Sequence, residues 1–358
     1  MRRRSFLAQS MVVASAATLG SKWSLAGAKS RFRMPDESEP HERTFMQWPV
    51  SHAVHPDDTF RSTLQQAIAD VANTIAEFEP VVMLMDGRYE SAAHEMLGQH
   101  VEIWHISRDD FWCRDSGPIF VTNETGDIAI AHIKFNGWGN KQVHPHDRRI
   151  AERIAKHLGI PLIESGIVGE AGGDDTLLAH ESSWVNPNRN RISPDVIEDR
   201  LFQALGAEKM IWSPGVKGSD ITDYHIDALA RFVRPGIMVT QLPDEVDDQD
   251  PWTTSAFETY DILQGSKDAK GRSLELIALA EPYLTRVRSA KFVASYVNYY
   301  VCNGAVITAQ FGDHEADSHA RTTLQRLYPG REIIALNVDP IGEVGGGIHC
   351  ATQQQPKV

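Results

Sequence analysis

Cysteine is scarce: the 358 residues contain three, Cys113, Cys302 and Cys350. That excludes a disulfide-stapled scaffold, and no C-x-x-C or His/Cys grouping has the spacing of a zinc site. An odd count leaves at least one thiol unpaired within the chain. Basic charge is in deficit, with Lys plus Arg at 35 against 48 Asp plus Glu and a net charge of −13. Phosphate contact needs basic patches, so a nucleic-acid partner is excluded. The acidic balance serves solubility and is compatible with a cationic substrate. No G-x-G-x-x-G follows a strand and no G-K-[ST] occurs, which excludes the dinucleotide and P-loop fingerprints. Beyond the N-terminus no apolar run approaches the roughly 18 residues that span a bilayer. What remains is an ordinary globular composition, 42% hydrophobic and 23% charged. No Pro/Ser-rich linker or charge run divides it, so a single domain over residues 29–358 is expected.

Residues 1–28 read as an address. Arg2, Arg3 and Arg4 lead into a short apolar run ending near Leu19, and Ala26-Gly27-Ala28 offers small residues for cleavage. Arg3-Arg4-Ser5-Phe6-Leu7 has the look of a twin-arginine export signal. The expected location is periplasmic or secreted, with no stable membrane association once the signal is removed.

Helix and strand signals then alternate. Phe60, Leu64, Ile68, Val71, Ile75 and Phe78 put one helical face over Asp57–Phe78 against a core. Val81–Met85 and Val101–Trp104 predict buried strands, with a short helix over Arg88–Leu97 between them. Ile119–Thr122 and Ile128–Phe135 predict a hairpin. Further helices are predicted over Asp147–Leu158, from Pro194 to Leu205, near Thr253–Leu263 and over Asp317–Leu327. Strands are predicted at Lys209–Trp212, Ile237–Leu242, Tyr296–Val301, Ala305–Thr308 and Ile333–Leu336. The alternation repeats about every 60–70 residues, which fits five α/β units and equally a doubly wound sheet.

Four polar constellations stand out. The first is Phe111-Trp112-Cys113-Arg114-Asp115-Ser116-Gly117-Pro118, which places an aspartate on a rigid turn. The second is Glu164-Ser165-Gly166. The third runs from Asp220 to Phe232 and contains His225-Ile226-Asp227; if extended, His225 and Asp227 share a face. The fourth is Gly345-Gly346-Gly347-Ile348-His349-Cys350-Ala351-Thr352-Gln353-Gln354-Gln355-Pro356, where glycines let the backbone approach a ligand next to a thiol. Singly, each is also compatible with a turn, a surface polar pair or a buried cysteine.

Together, in this order, the four resemble the agmatine deiminase family, which also contains the Porphyromonas-type peptidylarginine deiminases. Trp184–Asn190, Ala230–Val233 and Ser295–Tyr300 are similar to it as well, so the likeness runs from about Met34 to Pro356. It implies a pentein α/β-propeller: five ββαβ-type modules with pseudo-fivefold symmetry. The stretch Glu164–Thr176 departs from the family's E-G-G…D-G-x-G-T, and Glu170-Ala171-Gly172 rivals Glu164 for the same role.

The resemblance implies a thiol mechanism. A guanidinium is a planar cation whose N–H fork suits carboxylates, and Asp115 and Asp227 are expected to hold it. Cys350 is the expected nucleophile and His225 the acid/base, its imidazolium and the bound cation together depressing the thiol pKa. Trp112, Glu164, Asn298 and Gly347 are expected to line the substrate, Trp112 through a cation–π contact. Cys113 and Cys302 read as structural. No metal or organic cofactor is expected. The expected substrate is a small cationic guanidine, agmatine, with an arginine-containing peptide as the alternative; a homo-oligomer is compatible with the sequence. Two other classes remain open: a cysteine peptidase, which leaves Asp115 and Glu164 without roles, and a noncatalytic guanidine-binding protein.

Overall fold

The computed structural model describes residues 31–169 and 175–358. The export-type segment over 1–28 and the rival carboxylate Glu170 lie outside the described residues.

Five small sheets, rather than one open sheet, organise the chain. They are β15–β1–β2–β3, β4–β5–β6, β7–β8, β9–β10–β11 and β12–β13–β14. The strands are β1 (His41–Gln47), β2 (Val81–Met85), β3 (Val101–His105), β4 (Ile119–Thr122) and β5 (Ile128–Lys134). They continue with β6 (Leu162–Val168), β7 (Thr176–His180), β8 (Lys209–Ser213), β9 (Ala230–Arg234) and β10 (Ile237–Leu242). The last five are β11 (Glu275–Ala280), β12 (Tyr300–Cys302), β13 (Ala305–Ala309), β14 (Glu332–Leu336) and β15 (Thr352–Pro356). A parallel pair in each sheet is joined by a crossover helix, because parallel neighbours need a long connection. These helices are α1 (Asp58–Ala76), α2 (Ile150–Leu158), α3 (Pro194–Leu205), α4 (Pro251–Gly265) and α5 (His314–Leu327).

The helices form where the sequence signals them. Leu64, Ile68, Val71 and Ile75 bury the predicted face of α1, and Asp57 caps it by accepting from Phe60 N at 2.8 Å. Gly159 and Gly206 end α2 and α3 in left-handed conformation at φ 68° and 74°. The predicted Arg88–Leu97 helix shrinks to Glu90–Ala93 after a 3₁₀ turn. Asn73 stops it, donating to Met96 O and accepting from Gly98 N.

In four sheets an antiparallel inner strand flanks the parallel pair: β15 on β1, β4 on β5, β9 on β10 and β12 on β13. Each inner strand therefore begins at the end where its partner strand finishes. Residues from these four strands, together with Leu178 and His180 of β7, line one central cavity of about 100 Å³. The five sheets surround a common axis, as the pentein arrangement requires. Segments just ahead of the inner strands consequently meet at one end of that axis.

Candidate active site

Those segments carry three of the four polar constellations; Glu164-Ser165-Gly166 lies within β6. Trp112 and Asp115 stand at the turn Cys113–Ser116 ahead of β4, and His225 and Asp227 stand ahead of β9. Asn298 precedes β12, while Gly347 and Cys350 belong to the short helix Ile348–Ala351 ahead of β15.

Cys350 and Asp227 are in contact. The thiol donates to Asp227 Oδ2 at 3.4 Å, and Asn298 Nδ2 lies 3.2 Å from Sγ. Asn298 Nδ2 also donates to Asp227 Oδ2 at 3.0 Å, and Cys350 N donates to Asn298 Oδ1 at 3.3 Å. His349 adds a third donor, with Nδ1 2.7 Å from Asp227 Oδ2. Asp227 Oδ1 is buried and has no hydrogen-bond partner among the described residues. Burial opposes ionisation of Asp227, but the His349 hydrogen bond and charge, followed by the charge of His225, hold its carboxyl far below the usual range. The described residues therefore leave a buried, charged oxygen without a donor, which costs free energy until one arrives.

The second carboxylate, Asp115, is buried. Trp138 donates its indole N–H to Asp115 Oδ1 at 3.0 Å, and His225 Nδ1 lies 3.5 Å from the same oxygen. Trp138 sits in a run of left-handed residues, Gly137 to Asn140, with φ of 63°, 52°, 87° and 63°. Non-glycine residues adopt this conformation at a cost, and the bond of the indole to Asp115 and its packing on Phe135 hold Trp138 in it. Trp112 is buried against Phe111, with ring centroids 4.0 Å apart.

Burial pushes the Cys350 thiol well up, and the charges of Asp227 and then Asp115 push it further; the Gly347 N–H and Asn298 oppose them without prevailing. Cys350 rests as a thiol. His225 Nδ1 faces Asp115.

The chain matches the Porphyromonas-type peptidyl-arginine deiminase family over residues 33–356. It belongs to that family. A Streptomyces coelicolor protein assigned by name as agmatine deiminase is 35% identical over 339 residues, covering 91% of this chain and 99% of its own length. The agmatine deiminase of Enterococcus faecalis superposes with a TM-score of 0.84 at 28% identity, covering 91% of this chain and 96% of its own. A Porphyromonas gingivalis structure assigned by name as an arginine deiminase superposes at 0.80 and 27% identity, over 91% of this chain and 99% of its own.

As a member of this deiminase family, the chain brings together Cys350, Asp227, Asn298 and Gly347, and places His225 beside Asp115. Glu164 is a correction. Its side chain on β6 is 57% exposed and pairs outward with His132 Nδ1 at 2.9 Å and Lys134 Nζ at 3.6 Å. The alternation of a strand turns it away from the axis. The shared extended face expected for His225 and Asp227 is also replaced. Asp223 and Tyr224 are left-handed at φ 62° and 69°, and a 3₁₀ turn over Ile226–Ala228 follows, so the two side chains meet different partners. The glycines of the fourth motif accommodate protein neighbours. A Cβ on Gly346 would lie 2.4 Å from the Trp112 ring, and one on Gly347 would lie 2.4 Å from Asn298 Oδ1.

Tyr296–Val301 was expected as a strand; pairing starts only at Tyr300. Ser295 Oγ takes the Val297 N–H and Gln241 Oε1 takes the Tyr296 N–H, which bends the segment and aims Asn298 at Cys350. Cys113 and Cys302 are buried free thiols, both raised chiefly by burial. Sequence reasoning missed Glu37, Trp138, Arg231 and His349. His349 and Arg114 adjoin singled-out residues and were within reach. Glu37 was not, since its partners Arg114, Arg231 and Val301 are 77 to 264 residues away.

Proposed function

We propose that this chain hydrolyses a guanidinium group, with agmatine as substrate and N-carbamoylputrescine and ammonia as products. The observation that carries the reading is the pairing of a half-buried thiol with a charged Asp227 whose Oδ1 has no donor among the described residues. A guanidinium N–H suits that oxygen, and a cation suits two carboxylates of which Asp115 is buried and Asp227 half-buried. The relatives assigned by name as agmatine deiminases support the choice of substrate.

In this reading the cation settles between Asp115 and Asp227. Its charge offsets theirs, the Cys350 thiol becomes easier to ionise, and the thiolate adds to the central carbon. The tetrahedral adduct collapses as His225 protonates the departing nitrogen, which leaves as ammonia. An amidino-cysteine remains. His225, now neutral, takes a proton from water, the resulting hydroxide adds to the amidino carbon, and breakage of the C–S bond returns the thiol and a ureido product. No step requires a metal.

The test is an assay of the protein with agmatine, free arginine and a short arginine peptide, scoring ammonia and ureido product. Turnover of agmatine, lost in Cys350→Ala, is expected. Turnover of the arginine peptide alone moves the assignment to peptidylarginine, and wild-type turnover by Cys350→Ala removes the nucleophile. The twin-arginine-like start supports action outside the cytoplasm.

A further inference from the structure

Glu37 lies in the segment ahead of β1, where Asp36 accepts from Ser38 N at 2.7 Å and Met34 N donates to Leu205 O at 2.7 Å. Its carboxylate receives four donors. They are Arg231 Nη2 at 2.8 Å, Val301 N at 2.9 Å, Arg114 Nη2 at 3.0 Å and His349 Nε2 at 3.0 Å. Arg231 comes from β9, Val301 from β12, Arg114 from ahead of β4 and His349 from ahead of β15. One carboxylate thus ties four of the five sheets around the axis.

His349 is the member that points at the chemistry. With Glu37 at Nε2 and Asp227 Oδ2 at Nδ1, the ring has an acceptor at each nitrogen and cannot flip without losing both. Asp227 in turn has three donors gathered on Oδ2 and none on the buried Oδ1 among the described residues. Three donors on one oxygen fix the carboxylate plane. The ion pairs of Glu37 with Arg114 and Arg231 would hold the sheets without His349, so the contact from Nδ1 serves Asp227 alone.

We propose that Glu37 and His349 are positioning residues for the reaction: Glu37 clamps His349, and His349 fixes the Oδ2 edge of Asp227 so that the Oδ1 edge stays turned to the guanidinium. This rests on the deiminase reading of the site. Both act through Asp227: Glu37 by holding His349, and His349 by its contact with Oδ2.

Two isosteric changes at position 349 separate the contacts. The amide nitrogen of His349→Asn falls near Nδ1 and keeps the donor to Asp227; that of His349→Gln falls near Nε2 and keeps only the link to Glu37. His349→Gln is expected to lose about 10²-fold in kcat/KM, the scale of a misplaced reacting group, and His349→Asn no more than about tenfold. A second readout needs no turnover: alkylation of Cys350 by cationic 2-chloroacetamidine against its neutral analogue 2-chloroacetamide. The wild type is expected to prefer the amidinium, and His349→Gln to lose about tenfold or more of that preference while His349→Asn retains it. Glu37→Gln, shown to be folded by its near-ultraviolet dichroism, is expected to follow His349→Gln; if it does not fold, the two variants at 349 decide. Equal preference in His349→Gln and wild type, or equal loss in both variants at 349, overturns the proposal. A folded Glu37→Gln with wild-type preference removes Glu37 from it. A wild type that turns over no guanidine yet keeps the amidinium preference, reduced in His349→Gln, refutes the deiminase reading while leaving the positioning intact.

Discussion

Cys350 keeps its hydrogen on Asp227: Sγ lies 3.4 Å from Oδ2, and the thiol donates. Burial, Asp227 and Asp115 together hold the thiol protonated. In the proposed reaction the carboxylates that receive the cation are therefore the ones that restrain the thiol. Binding and activation are coupled by charge, because only a positive guest between the carboxylates relieves the thiolate of its neighbours.

Removing one anion should release that restraint. Asp227→Asn is expected to alkylate faster than wild type with neutral iodoacetamide at neutral pH, by about tenfold for each pKa unit the thiol recovers. Guanidine turnover should fall at the same time. Alkylation at the wild-type rate would show that Asp227 does not hold the thiol up.

Trp138→Phe keeps an aromatic ring for its edge-on contact with Phe135 and deletes the N–H on Asp115. A hydrogen bond to a charged group contributes about 1.5–3 kcal/mol, so a misaligned Asp115 should lower kcat/KM by about 10- to 100-fold, with a fall of a few degrees in thermal midpoint. Unchanged kinetics would mean that Asp115 keeps its orientation without the indole.

Gly346→Ala puts a methyl 2.4 Å from the Trp112 ring, a separation that neither atom can tolerate. Displacement of Trp112 should appear as a change in intrinsic fluorescence together with loss of turnover. A variant with both at wild-type level would free this glycine from its packing role.

His180 gives a pH signature. Burial lowers its pKa to about 4, and Nδ1 lies 3.0 Å from Tyr224 O. An unfolded histidine takes up a proton near pH 6.5, whereas the folded one refuses it until about pH 4. Stability should thus fall as pH drops from about 6.5 to 4, by up to about 3 kcal/mol from this residue, and level off below. Urea midpoints for wild type and His180→Gln should separate across that window; parallel curves would contradict the burial argument.

The crossover helices were legible because their signals are local. Five apolar positions at helical spacing, Phe60 to Ile75, set α1, and Gly159 and Gly206 close α2 and α3 with a conformation that glycine reaches cheaply. β15 was not legible: Thr352-Gln353-Gln354-Gln355-Pro356 has no apolar alternation, and it is a strand because β1 offers it a ladder. The loop around His225 misled for a related reason. Two left-handed residues, stabilised by contacts elsewhere in the chain, rotate it out of the extended form that its own residues suggest.

The sequence by itself determined the chemistry available: a thiol in a glycine-rich turn, an imidazole, and carboxylates on short rigid segments. It also determined the alternation of strand and helix that builds the five sheets. Only the tertiary structure decided which carboxylates face the thiol, since closing the sheets around an axis turns Asp227 inward and leaves Glu164 on the outside. Glu37 belongs wholly to that second category. A glutamate near the start of the folded region carries no local mark of function, and four donors from four sheets converge on it only once the ring has closed.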